Sequence, residues 1–141
     1  MSENLRTVKT LTRAGARTAM DAALAHGEKL GKKFHIAIVD NAGHLMAYER
    51  MDGAQLISQT ISQDKAWSVI AGNGLPTSGW LNELEGDPAL KLGFPHRPNL
   101  VVFGGGVPVL LEGELVGAIG VSGGSAEEDA EVATAGANAV A

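Results

Sequence analysis

The sequence predicts one α/β domain of the α+β kind, residues 1–141, built on a mainly antiparallel sheet. Three observations predict it. A chain of 141 residues, 45% of them hydrophobic, suits one domain with a real core. Short apolar segments of period two are joined by tight polar turns, as in hairpins. Longer segments with small or apolar residues at helical spacing stand at both ends and in the middle.

Thr10 can cap a first helix that runs to about Leu30, with Ala16, Met20, Ala23, Gly27 and Leu30 on one face and Gly31 as its stop. Phe34 to Asp40, "FHIAIVD", reads as a strand. "NAG" is a turn with Gly43 suited to positive φ, and "HLMAYERM" returns as a second strand. Its alternation groups His44, Met46, Tyr48 and Arg50 against Leu45, Ala47, Glu49 and Met51. A second helix follows from about Gln55 to Ile70. Asn82 to Leu92 forms a short helix broken at Gly86-Asp87-Pro88, and "GFPHRPN" is a proline-bounded loop. Leu100–Phe103, Val107–Leu111 and Glu114–Val121 read as three more strands, the last two joined by a Glu112-Gly113 turn. "SAEE" is a capping box that opens a C-terminal helix at Ser125. The sum is a sheet of about five strands, with helices on one or both faces.

Composition narrows the function. A net charge of −5 disfavours nucleic acid and anionic membranes as partners. The absence of cysteine removes thiolate nucleophiles and cysteine-ligated metals. The N-terminus has no signal-peptide core and no apolar run reaches membrane length, so a cytoplasmic protein is expected. Four histidines form no zinc motif, so no metal site is expected.

The glycines of "VVFGGGVPVLLEGELVGAIGVSGGS" pose the main question. A P-loop needs a lysine, and none occurs after Lys91. A dinucleotide fingerprint needs glycine where Val109 stands. Gly117 and Gly120, inside an apolar strand, instead imply close approach of another element, with the small-faced first helix as the obvious occupant. Gly104–Gly106 suits a bulge or pocket rim, and "SGGS" a strand-to-helix turn or a pocket wall.

Among polar residues Lys65 is the most informative. Ile57, Ile61 and Lys65 share an inward stripe, so the lysine must snorkel, pair or line a pocket, with Asp40 and Asp52 as partners in reach of the reading. His44, Met46 and Tyr48 are each able to ligate haem iron. His96 and Arg97 lie in the proline-rich loop.

Two segments, "IAIVDNAGHLMAYERMDGAQLISQTISQDKAWSVIAG" and "FGGGVPVLLEGELVGAIGVSGGSAEEDAEVATAG", resemble the GlcG/HbpS-like family, also called the haem-degrading domain family, which includes the C-terminal domain of PduO-type proteins. The resemblance implies a profilin-like three-layer α/β/α fold with a five-stranded antiparallel sheet. It implies self-association, from dimers to octamers, and haem as a possible cofactor in catabolism or redox response. Arg50, Asp52, Gly53, Lys65, Gly105, Pro108, Ser122 and Gly123 match its shared pattern. Trp67 and Ser68 depart from it, and a bulky Trp67 would fill or reshape a pocket.

Two functions follow. The first is a homo-oligomeric protein that binds haem, a related tetrapyrrole or another small molecule, through His44, Met46, Tyr48, Arg50, Gly105, Pro108, Ser122 and Gly123. The second is a small cofactor-independent lyase, isomerase or hydratase acting on an oxygenated catabolite. There Lys65 polarises the substrate, Asp52, His44 or His96 moves a proton, and Arg50 orients an anion.

Overall fold

The computed structural model describes residues 2–141. Helix α1 spans Arg13–Leu30, and strands β1 and β2 span His35–Asp40 and Leu45–Arg50. Helix α2 is Ile57–Ala71, followed by two short helices, α3 at Trp80–Leu84 and α4 at Pro88–Gly93. Strands β3 and β4 are Gly106–Leu111 and Glu114–Ser122, and α5 closes the order at Ala126–Ala139.

Helix α1 starts at Thr12, whose hydroxyl accepts from Gly15 N, rather than at Thr10. Leu11 explains the difference. It is buried, and its amide donates to Val116 O at 3.0 Å, which keeps the chain extended one residue longer. The Thr10 hydroxyl instead accepts from Asn41 N. At the far end Gly31 takes φ 70° and donates to Glu28 O, the left-handed stop that glycine tolerates.

The sheet has four strands in the order β2-β1-β4-β3, every pair antiparallel. The central strand β1 divides its side chains between two layers. Ile36 and Ile38 join a core with α1 and α5, while Ala37 and Val39 join one with Ala66 and Val69 of α2. Helices therefore cover both faces, giving three layers. α1 and α5 meet through small residues: a Cβ on Gly136 would lie 2.8 Å from Ala19 O.

The expected strand at Leu100–Phe103 pairs with no neighbour, so the fifth strand is absent among the described residues. Its hydrogen bonding goes elsewhere. Asn99 turns the chain at φ 65°, and Val101 N donates to the Ser68 hydroxyl at 2.9 Å. A side chain of α2 has taken the place of a ladder partner.

The glycines of the late strands are also explained by neighbours, and α1 is not among them. At Gly117 a Cβ would meet Leu11 and the Val39 carbonyl, both at 2.5 Å. At Gly120 it would run into the Ser62 carbonyl of α2 and lie 2.5 Å from Ala66 N. Helix α2 thus rests directly on the backbone of β4. Its inner face suits that contact, being made of Ser58, Ser62, Lys65, Ala66, Ser68 and Val69.

Candidate functional site

Lys65 lies at the centre of this seam and is only 1% exposed. Its stem crosses the glycine strands and its ammonium group donates to Val121 O at 2.8 Å and Asp129 Oδ2 at 3.0 Å. The outer side is covered by the Phe103 ring, 5.2 Å away at its centroid, a cation–π contact. Gly105, at φ 132°, leaves the space the ammonium group occupies.

The partner is therefore neither Asp40 nor Asp52. Asp40 accepts from Ala42 N and His44 N and holds the β1–β2 turn. Asp52 is exposed, in a cleft shared with Lys33 and Arg50. Asp129 was readable only as one of three acids at the start of α5. The signal that separates it is the capping box: Glu128 reaches back to Ser125 N, which turns the next residue inward. Burial pushes the Lys65 ammonium below the usual lysine range, and Asp129 opposes that by charge and hydrogen bond. Burial likewise raises the Asp129 carboxyl, with Lys65 and Gly124 N opposing. Half-buried Glu128 is held down at about 2, chiefly by its hydrogen bond from Lys32.

The strand face of His44, Met46, Tyr48 and Arg50 is divided. A bulge opposite Ile38 and Val39 breaks the alternation of β2. Met46 packs toward the α1–α5 core, Tyr48 toward the α2 core, and His44 is exposed ahead of the strand. Arg50 Nε donates to Ala54 O at 3.1 Å. Sequence reasoning passed over His35, which is fully buried. Its Nε2 faces the Gln55 carbonyl at 2.8 Å and must donate, so in the neutral ring Nδ1 accepts from the Tyr48 hydroxyl. Burial raises the Tyr48 phenol, which keeps it a donor. Ser122 is buried opposite His35, Gly123 lies against the Lys33 backbone, and Pro108 is half-buried on β3. His96 is exposed on a single 3-10 turn, Phe94–His96. These residues do not converge on one cavity.

A different part of the chain forms an aromatic cleft. Trp67 of α2, Trp80 of α3, Phe94, Arg97, Pro98 and Leu100 enclose about 260 Å³. Trp80 and Phe94 meet at a tilt of 33° with centroids 5.2 Å apart. Gly72 makes room for Trp80, since a Cβ there would be 2.8 Å from the indole. The indole N–H of Trp80 is buried with no acceptor among the described residues. On the other side of Trp67 lies a smaller cleft of about 190 Å³ with Leu45, Gln63, Asp64 and Asn99. Burial raises the Asp64 carboxyl. Trp67 thus reshapes the region by serving as a wall to both clefts.

Ser68, the other departure from the pattern, builds the opposite wall. Its hydroxyl donates to Asn99 O at 3.0 Å and accepts from Val101 N, pinning the segment that carries Arg97 and Leu100. Ser68→Ala leaves a buried N–H without an acceptor and should cost about 1–3 kcal/mol, read from urea unfolding. Amide exchange at Val101 should accelerate in parallel.

Among the described residues no group of three His, Cys, Asp or Glu is placed to hold a metal ion, and no helix is long and apolar enough to cross a membrane.

Three helical and sheet layers with an aromatic cleft on one flank define an α/β/α sandwich protein with a small-molecule-sized recess. The chain belongs to the family described as haem-degrading protein HbpS-like, whose model matches residues 11–138. It is 34% identical over 118 residues to the protein GlcG of Escherichia coli K12, covering 84% of this chain and 85% of GlcG. The crystal structure of a Streptomyces reticuli HbpS double mutant superposes with a TM-score of 0.85 at 32% identity, covering 98% of this chain and 92% of the other. A PduOC–haem complex superposes with a TM-score of 0.83 at 28% identity, covering 92% and 94%.

Proposed function

We propose that this chain is a binding protein for planar aromatic ligands, haem-type tetrapyrroles among them, and that its aromatic cleft is the seat. The observation that carries the reading is the cleft itself: three aromatic walls and a guanidinium. The haem complex of the PduOC relative supports the ligand class.

Size limits how a tetrapyrrole sits. A 150 Å³ cavity holds one benzene ring, so four pyrroles need roughly 600 Å³. The cleft of about 260 Å³ accepts an edge, with the remainder outside. In that pose Trp67 and Trp80 would stack on the macrocycle, Arg97 would hold a propionate, and His96, the next residue along the chain, would be the iron ligand. His44 stands in the chain between Gly43 and Leu45, both of which line the cleft on the far side of Trp67. When bound, the iron would supply ligation and redox chemistry. Lys65 takes no part, because its ammonium group is committed to Asp129, Val121 and Phe103.

Self-association belongs to the same proposal. Leu56 and Ile57, at the start of α2, are 79% and 68% exposed, the kind of apolar surface a second copy covers. A role in small-molecule catabolism in the cytoplasm is part of the reading.

Haemin added to the purified protein should give a shifted Soret band at saturation. His96→Ala should change the band most, and Trp67→Ala should weaken binding by about tenfold or more. On a sizing column with light scattering the Soret absorbance should travel with an oligomer. An unshifted Soret band sinks the haem reading. Equal affinity in the Trp67 variant removes the cleft as its seat.

A further inference from the structure

We infer that the Trp67–Trp80–Phe94 cleft recognises a single-ring aromatic carboxylate, a ligand it encloses whole. The inference rests on the cleft being the binding seat, and it names the class that fits best. At about 260 Å³ the recess exceeds the 150 Å³ that holds benzene by roughly the room a carboxylate and its contacts need.

Its chemistry points the same way. The walls are two indoles, a phenyl ring and the apolar Pro98 and Leu100. The polar groups on them are donors. Arg97 is exposed and makes no ion pair among the described residues, and the Trp80 N–H is buried without an acceptor. No carboxylate lines this recess. Asp64, the nearest acid on α2, lines the other cleft behind Trp67. A guanidinium at an apolar recess with no acid among its described lining residues selects an anion over a cation. A carboxylate offers Arg97 two parallel hydrogen bonds. A ring stacked on Trp67 or Trp80 supplies the apolar part of the affinity.

The test uses benzoate as probe, with benzamide as its neutral isostere. Trp67 and Trp80 are the chain's two tryptophans, so intrinsic fluorescence reports on the cleft directly. Benzoate should quench saturably at neutral pH, and benzamide should bind at least about tenfold more weakly. Arg97→Gln, a change at an exposed side chain, should remove most of that preference. Benzoate should also compete with haemin. Equal binding of benzoate and benzamide, or an unchanged preference in Arg97→Gln, overturns the inference. If benzoate fails to bind while haemin still binds and is lost on Trp67→Ala, the inference falls and the tetrapyrrole reading stands. If neither ligand binds, both fall.

Discussion

Asp129→Asn should destabilise the protein by about 3–5 kcal/mol, measured by urea unfolding at neutral pH. The variant keeps the shape of the side chain, and its amide oxygen can still accept from Gly124 N. What it removes is the carboxylate paired with the Lys65 ammonium, in a position where Lys65 is 1% exposed. A buried ammonium without its counter-charge must bear the desolvation cost alone. The pH dependence carries a sign of its own. Burial already lowers Lys65, and both influences raising it come from Asp129, so the substitution lowers it further. A lysine whose folded value lies below its unfolded value binds fewer protons in the folded state. Stability therefore rises with pH from the lowered folded value up to the ordinary lysine value of 10.5. Asp129→Asn should regain stability on moving into the alkaline range, and Lys65→Met in the same background should flatten that dependence. A variant as stable as the parent, or one insensitive to alkali, would show that the pair does not hold α2 to α5.

Gly120→Ala should be as damaging, about 3 kcal/mol or more, from a single added methyl group. The new Cβ falls on the Ser62 carbonyl and 2.5 Å from Ala66 N. Both are backbone atoms inside a helix, so no side-chain rotation relieves the clash. The helix must move off the sheet, and the Lys65 contacts to Val121 and Asp129 must lengthen with it. Gly113→Ala is the matched control for added bulk, since no atom lies near its Cβ. Its φ of 78° still carries the modest strain of a left-handed turn residue. Calorimetry should show a fall in Tm at 120 several times that at 113. Similar falls at both positions would mean that the α2–β4 seam yields more readily than its geometry implies.

The fold was largely legible because its elements announce themselves locally. Gly31 and Ser125 mark helix ends through backbone chemistry that needs no tertiary partner. The Glu112-Gly113 turn takes φ values of 51° and 78°, the conformation that Gly113 favours and into which Glu112 is drawn by the short hairpin. Legibility failed where a distant group decided the outcome. Leu100–Phe103 is apolar enough for a strand, yet one serine hydroxyl on α2 claims its amide. The bulge in β2 moves Met46 to the opposite layer from Tyr48, and strict alternation cannot foresee it. Asp129 looked like any acid at a helix start until the inward lysine required a partner. The aromatic cleft is the clearest case. Trp67, Trp80 and the Phe94–Arg97 turn are far apart along the chain with no common spacing, so only the folded chain gathers them.

The two outer strands bear on how copies of this chain can meet. β3 carries Pro108, which has no amide hydrogen to offer a neighbour, and β2 is kinked by its bulge. Neither margin offers an uninterrupted row of donors and acceptors for another molecule to continue. A shared continuous sheet running from one subunit to the next is thereby discouraged. Edges of this kind favour contact between copies through helices and side chains, and they guard against runaway fibre growth.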